Sequence, residues 1–216
     1  MAFKRRTRQE LAARVARDIS EGMYVNLGIG LPTMVAGFLP SDREVVLQSE
    51  NGILGMGPAP ISGQEDPDLI NAGKEPVTLL PGGCFFHHGD SFAMMRGGHV
   101  DICVLGAFQV SARGDLANWH TGGADAIPAV GGAMDLAIGA RHVYVMMEHT
   151  TKTGEPKLVE RCTYPLTGVA CVERIYTDLA TIDVTARGLI VFETVDGLAF
   201  DELARLTAAP LHLSSG

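Results

Sequence analysis

A chain of 216 residues, 46% of them hydrophobic, is long enough to bury one sizeable core and short for two ordinary domains, so a single domain over residues 1–216 is expected. Its formal net charge of −8 leaves no broad basic face, which argues against nucleic acid as a partner. No apolar run reaches the ~18 residues needed to span a bilayer, so no membrane partner is expected.

The first segment, MAFKRRTRQELAARVAR, is arginine-rich in the manner of a mitochondrial presequence or a basic arm. Against that, Glu10, Asp18 and Glu21 interrupt it and it runs straight into a strand. With no secretory apolar stretch, a cytoplasmic location is expected. Thr7 followed by Glu10 makes a capping box, and Leu11, Val15 and Ile19 recur at helical spacing up to Gly22. MYVNLGIG reads as a strand running into a glycine turn. LPTMVAGFL reads as a helix with Pro32 at its start, where a missing N–H costs nothing. EVVLQS is a nearly uninterrupted apolar strand, the pattern of one covered on both faces.

Residues 55–76, GMGPAPISGQEDPDLINAGKEP, are irregular and too long for a simple connection, which makes them a candidate active-site loop. VTLLPG and the residues around CFF look like strand. DSFAMMRGG reads as a short helix capped by Asp90 or Ser91, and DICVLGAFQV as a buried strand. The glycine-rich IPAVGGAMDLAIGA opens a helix before the strand RHVYVMMEH. ERIYTDL follows as a further element, ATIDVTARGLIVFETV reads as a hairpin turning near Arg187 and Gly188, and FDELARLTA as a closing helix. Strand and helix alternate through residue 150. The expected fold is therefore α/β, a three-layer α/β/α arrangement around an open, mainly parallel sheet. Cys84, Cys103, Cys162 and Cys171 lack C-x-x-C spacing and read as small buried thiols in a reducing compartment.

In such sheets the ligand sits beyond the carboxyl ends of the strands. Three predicted strands end in chemistry: Asn26 with Gly28 and Gly30, Glu50 with Asn51 and Gly52, and His149 with Thr150. NLGIGLP is not a dinucleotide fingerprint, because Thr33 occupies the third glycine position. Its small residues still let a backbone approach a ligand closely. Glu50 is either an exposed loop charge or a nucleophile on a tight turn. A hairpin about Asn51-Gly52 is set aside, because ILGMGPAP offers no alternating partner strand. His87 and His88 would point to opposite sides of an extended segment, and no H-E-x-x-H or H-x-H pattern occurs, so no metal site is expected.

QSENGILGMGP resembles the glutamate signature of the family I, or 3-oxoacid, CoA-transferases, in their B subunit. The resemblance extends through YVNLGIGLPT, DLINAGKEPVTLLPGG, DSFAMMRGGHVDICVLGAFQVS, GDLANW, VGGAMDLA and CTYPLTG, essentially the whole chain. NWHTGGADAIPAVGGAMDL, with Pro128, Ala129 and Val130 before the glycine pair, looks more like the branch acting on 3-oxoadipate than the acetoacetate-type enzymes.

The resemblance implies a sheet of the CoA-transferase and sugar-phosphate isomerase type and a ping-pong transfer from succinyl-CoA to a 3-oxoacid through a CoA thioester on Glu50. CoA is then a substrate and covalent intermediate, and no metal or redox cofactor is needed. It further implies Asn26 as the side chain that orients Glu50 or donates to the oxyanion. Gly131 and Gly132 become backbone donors, and Gly28, Gly30, Asn51 and Gly52 part of the substrate and CoA site. The family's A subunit carries a Gly-Gly-Phe signature absent here, GGCFF at 82–86 not being one. An A-subunit partner is therefore expected, in a heterodimer or heterotetramer. Arg96, Arg113, Arg141 and the His87/His88 pair are candidates for the distal carboxylate of a dicarboxylic substrate. A transferase for acetoacetate or another short acid, a CoA-thioester hydrolase and a non-catalytic ligand sensor are the competing readings.

Overall fold

The computed structural model describes residues 3–123 and 130–214, so Pro128 and Ala129 lie outside the described residues. The first half of the chain forms α1 (Arg8–Arg17), β1 (Tyr24–Leu27), a 3₁₀ helix (Leu31–Phe38), β2 (Val46–Ser49), β3 (Ile53–Met56), β4 (Leu79–Phe85), α2 (His88–Arg96) and β5 (Ile102–Leu105). The remainder forms β6 (Gln109–Ser111), β7 (Leu116–Ala117), α3 (Ala133–Gly139), β8 (His142–Met147), β9 (Leu158–Val159), β10 (Arg174–Thr177), β11 (Ala180–Thr185), β12 (Gly188–Thr194), α4 (Phe200–Arg205) and β13 (Leu211–Leu213).

Among the described residues a ten-stranded sheet runs in the order β13-β12-β11-β10-β8-β5-β1-β2-β3-β4, and β7-β6-β9 form a small second sheet. The centre, β10 to β2, is wholly parallel. Alternation along these strands divides the core into two layers. Val25, Leu47, Ile102, Val104, Met146 and Tyr176 face α1 and the 3₁₀ helix. Cys103, Leu105, Val143, Val145 and Ile175 face α2 and α3 through Met95 and Leu136. Each such buried aliphatic side chain stabilises the fold by roughly 1.5–3 kcal/mol. The expected three layers are thus present.

The capping box opens α1 as expected: Glu10 N–H donates to Thr7 Oγ1 at 3.2 Å and Thr7 N–H to Glu10 Oε2 at 2.6 Å. Arginines of the basic first segment are spent on the sheet. Arg6 and Arg14 both reach Glu193 Oε1 at 2.6 Å, and Arg5 reaches Asp178 at 2.7 Å. Arg174 continues this cluster with Asp18 at 2.8 Å and Asp183 at 2.5 Å.

Several local expectations are corrected. LPTMVAGF coils as a 3₁₀ helix, the short segment between Gly30 and Pro40 closing i→i+3 bonds such as Thr33 N–H to Gly30 O at 3.2 Å. α2 is capped by His87, whose Nδ1 accepts from Gly89 N–H at 3.0 Å, while Ser91 is buried inside the helix. DICVLGAFQV breaks at Gly106 into β5 and β6, which belong to different sheets. The chain returns after α4 to add β13 in parallel beside β12. The hairpin set aside on sequence grounds exists: β2 and β3 pair antiparallel, Ser49 opposite Ile53 and Gln48 opposite Leu54. Its return strand has only four residues and two glycine neighbours, too few for alternation to register. β3 continues antiparallel into β4, where Pro81 is tolerated because β4 is the sheet edge.

His149, just past β8, is fully buried, its ring between Thr177 Oγ1 at 3.0 Å and Thr207 Oγ1 at 2.9 Å. Burial pushes its pKa down to about 4. The folded value lies below the unfolded value of ~6.5, so the neutral ring contributes stability above that pH which is lost as pH falls towards the folded value, about 3 kcal/mol in all. In acid-unfolding measurements by circular dichroism, the stability of the native chain relative to His149→Gln should fall by about this amount between pH 7 and 4. A pH-independent difference would mean that the ring does not titrate against its burial.

Candidate active site

β1, β2, β5 and β8 are parallel neighbours, so their carboxyl ends share one edge of the sheet. The chain steps from β1 to β2 on one side and to β5 on the other, which makes the ends of β1 and β5 a topological switch point. A cleft of about 620 Å³ opens there, lined by Asn26, Gly28, Glu50, Gly131, Gly132 and Lys157 among others. Gly28 N–H donates to Val104 O at 2.8 Å, and a Cβ at Gly28 would stand 3.0 Å from that oxygen and 3.2 Å from Leu105 Cδ2. Only glycine lets β1 leave the sheet this close to β5. A second cavity, about 610 Å³, lies between the 3₁₀ helix and residues 56–77. It takes Gln48 and Ser49 as wall but not Glu50, so the candidate site is the cleft.

Glu50 occupies the first position of the three-residue turn between β2 and β3. Gly52 closes the turn, its N–H donating to Ser49 O at 3.0 Å with φ of 109°, and a Cβ there would run into the Phe86 carbonyl. The residues beside Glu50 hold the long loop: Ser49 Oγ accepts from Ala72 N–H at 3.0 Å, and Asn51 Nδ2 donates to Ile70 O at 2.8 Å. Glu50 itself points under the turn that opens α3. A Cβ on Gly132 would collide with Glu50 Oε2, and Phe92 Cζ lies 3.2 Å from the same point. Glycine at 132 is thus the space in which the carboxylate sits. Among the described residues the N–H groups of Gly131 and Gly132 donate to no backbone acceptor.

Burial pushes the Glu50 pKa up; charge on His88 opposes the shift and Asp135 adds to it. Asn26 sits on the β1 strand behind the carboxylate, 3% exposed. Its Nδ2 donates to Gln48 Oε1 at 2.5 Å and Gln48 O at 3.2 Å, and Gln48 Nε2 donates on to Ser91 Oγ at 2.7 Å. This buried polar chain ties β1, β2 and α2 together. Breaking it leaves unpaired buried groups at a cost of about 1–3 kcal/mol each.

Of the residues singled out by sequence, the cleft brings together Asn26, Gly28, Glu50, Gly131 and Gly132. Gly30 caps the 3₁₀ helix, while Asn51 and Gly52 build the turn and its loop anchor; none of the three lines the cleft. Neither do Arg96, Arg113, Arg141, His87 or His88. Arg96 is held by Asp135 at 2.6 Å and Arg141 by Asp101 at 2.8 Å. Gln48, Ser91, Asp135 and Lys157 were not legible. Gln48 and Ser91 are polar residues inside apolar stretches, a pattern that also suits a surface, and Lys157 lies in an irregular segment far along the chain. Among the described residues no cluster of three or more His, Cys, Asp or Glu side chains is placed to hold a metal ion. No helix among them is long and apolar enough to cross a membrane.

A family model described as coenzyme A transferase matches residues 8–205. The B subunit of 3-oxoadipate CoA-transferase from Acinetobacter baylyi is 67% identical over 211 residues, 98% of this chain and 97% of that protein. The B subunit of succinyl-CoA:3-ketoacid coenzyme A transferase from Helicobacter pylori is 48% identical over 206 residues, 95% of this chain and 99% of that protein. In the solved structure of an acyl-CoA transferase, YdiF of Escherichia coli O157:H7, the fold recurs with a TM-score of 0.77 at 17% identity. That match covers 99% of this chain and 43% of YdiF.

The folded pKa of Glu50 lies above its unfolded value, so ionised Glu50 costs stability once pH passes both values. Glu50→Gln should therefore melt higher than the native chain at pH 7, with the gap closing below the ordinary glutamate pKa. Equal melting temperatures at pH 7 would show that the carboxylate is not held against its solvation.

Proposed function

The chain belongs to the coenzyme A transferase family, and on that footing we propose that it is the B subunit of a 3-oxoadipate CoA-transferase, moving CoA from succinyl-CoA to 3-oxoadipate. It acts as one B-subunit domain in the cytoplasm, where its four unpaired cysteines would stay reduced. The reaction serves the breakdown of aromatic compounds through the β-ketoadipate route. The observation that carries this reading is the half-buried Glu50 carboxylate, seated beneath Gly132 at the parallel strand ends.

Glu50 attacks the thioester carbonyl of succinyl-CoA; the C–S bond breaks, CoA leaves as thiolate and a mixed anhydride remains. The thiolate attacks the glutamyl carbonyl, succinate departs and CoA stays as a thioester on Glu50. A carboxylate of 3-oxoadipate then attacks that thioester, and the same two steps in reverse yield 3-oxoadipyl-CoA and free Glu50. No atom changes oxidation state and the thioester energy is passed on, so the steps balance without a redox cofactor.

A carboxylate is a weak nucleophile, and the chain's contribution is position and electrostatics. The desolvation that raises the Glu50 pKa also removes water that would otherwise hydrate the attacking oxygens. Gly131 and Gly132 N–H groups are the oxyanion donors, each worth about 3 kcal/mol in comparable sites. Asn26 acts as a positioning residue, because its amide donor is engaged by Gln48.

An A subunit completes the enzyme, as a heterodimer or heterotetramer. Ile29 and Phe108, 66% and 40% exposed at the cleft, are apolar surface for it to cover. It would also exclude the water that turns a transferase into a hydrolase. The second reading, a 3-ketoacid such as acetoacetate as acceptor, draws on the similarity to the Helicobacter pylori protein.

The test is the intact mass of the chain, assembled with its A subunit, after brief exposure to succinyl-CoA. A gain of CoA minus water, absent in Glu50→Gln and discharged by 3-oxoadipate faster than by acetoacetate, is expected. An intact complex that binds CoA without an adduct would favour a sensor, and turnover without an acceptor a hydrolase. Gly132→Ala should lower kcat at least ~10-fold with the melting temperature nearly unchanged, since the methyl group displaces a flexible carboxylate and not backbone. Unchanged turnover in that variant would remove Gly132 from the site.

A further inference from the structure

The succinyl donor and the 3-oxoadipate acceptor share a feature that Glu50 and its glycine donors leave unmatched: each carries a carboxylate remote from the reacting carbon. Among the described residues, the cleft that holds Glu50 is lined by two cations, Arg8 and Lys157, and one other carboxylate, Glu148. Arg8 is the first residue of α1, largely exposed, and stands 3.5 Å from Glu148. Lys157 makes no ion pair within 4.0 Å and no side-chain hydrogen bond among the described residues, although it is half-buried and burial pushes its pKa down. Its backbone is fixed on both sides, N–H donating to His149 O at 3.1 Å and C=O accepting from Val110 N–H at 3.0 Å. The charges of Glu148 and Asp178 oppose the downward push of burial, but neither carboxylate reaches the ammonium within 4.0 Å, so its hydrogen-bonding positions stay open among the described residues. Such a group in a cleft is a candidate for holding a ligand.

The strand order gives the separation. Lys157 is tied to the residue just past β8, and Glu50 follows β2; between β8 and β2 lie β5 and β1. Three strand spacings separate the ends of β8 and β2, about 14 Å, and both side chains line the cleft that opens over them. A short acyl chain with charged ends fits between an attacking carboxylate and a receiving ammonium.

We propose that Lys157 is the subsite for the distal carboxylate of the acyl group, gripping succinyl and 3-oxoadipyl chains at the end remote from Glu50. This rests on the transferase reading. Arg8 pairs with Glu148 at 3.5 Å, whereas Lys157 has no carboxylate within 4.0 Å among the described residues, and none of the cations singled out by sequence lines the cleft.

The test compares two donors of equal chain length on the assembled complex: succinyl-CoA, and butyryl-CoA, which lacks the distal carboxylate. The rate of Glu50–CoA adduct formation is read by intact mass. In Lys157→Met the rate with succinyl-CoA should fall about 10- to 100-fold while that with butyryl-CoA holds or rises. Lys157→Arg should retain part of the preference, and the melting temperature of Lys157→Met should not drop. Equal loss with both donors would assign Lys157 to CoA or to the fold, and no loss with succinyl-CoA would place the subsite elsewhere; either overturns the proposal while the transferase reading stands. A native complex that forms no adduct with either donor would overturn both.

Discussion

A parallel strand that ends in a three-residue turn and comes back antiparallel is the constraint on which the site depends. β2 delivers its last residue to the sheet edge where β1, β5 and β8 also end, and the turn holds Glu50 at that edge. Gly52 makes the turn possible in two ways, by a φ of 109° and by its contact with the Phe86 carbonyl. Asn51 and Ser49 then clasp the long loop on either side of the carboxylate. Loop, turn and nucleophile candidate are therefore hydrogen-bonded into one unit.

The polar groups behind this turn divide into two kinds. Asn26, Gln48 and Ser91 satisfy one another in the core, where any gap would be costly, and so give the site a rigid back wall. Glu50 and Lys157 make no side-chain hydrogen bond among the described residues, and burial moves each pKa in the direction that disfavours charge. The cluster of Arg6, Arg14 and Arg174 with Asp18, Asp183 and Glu193 instead sets each charge against an opposite one. That contrast separates groups that hold the fold from groups available to a ligand.

Much of the central architecture was legible because it depends on local patterns. The capping box of Thr7 and Glu10, the apolar runs of β1, β2, β5 and β8, and the hairpin of β11 and β12 follow from spacing over a few residues. The β2–β3 hairpin was misread because four residues rich in glycine cannot display alternation, although Asn51-Gly52 marked the turn. β13 was missed because three residues beyond a helix carry no periodicity, and pairing with β12 alone makes them a strand. The helix cap at His87 was misassigned because Ser91 is drawn inward by Gln48, a partner 43 residues away.

The sequence by itself determined the family, the layer architecture and the acid at the end of the second strand, since these reside in contiguous motifs such as QSENGILGMGP and in the periods of strand and helix. Tertiary structure decided what surrounds that acid. Gly132, 82 positions on, became its seat; Gln48 engaged Asn26; Asp101 and Asp135 took Arg141 and Arg96, two of the arginines that sequence had offered for substrate; and Lys157 was brought into the cleft instead. The reason is physical: desolvation and ion pairing act across space between residues far apart in the chain, and their strength is set by burial and distance, which no local pattern encodes.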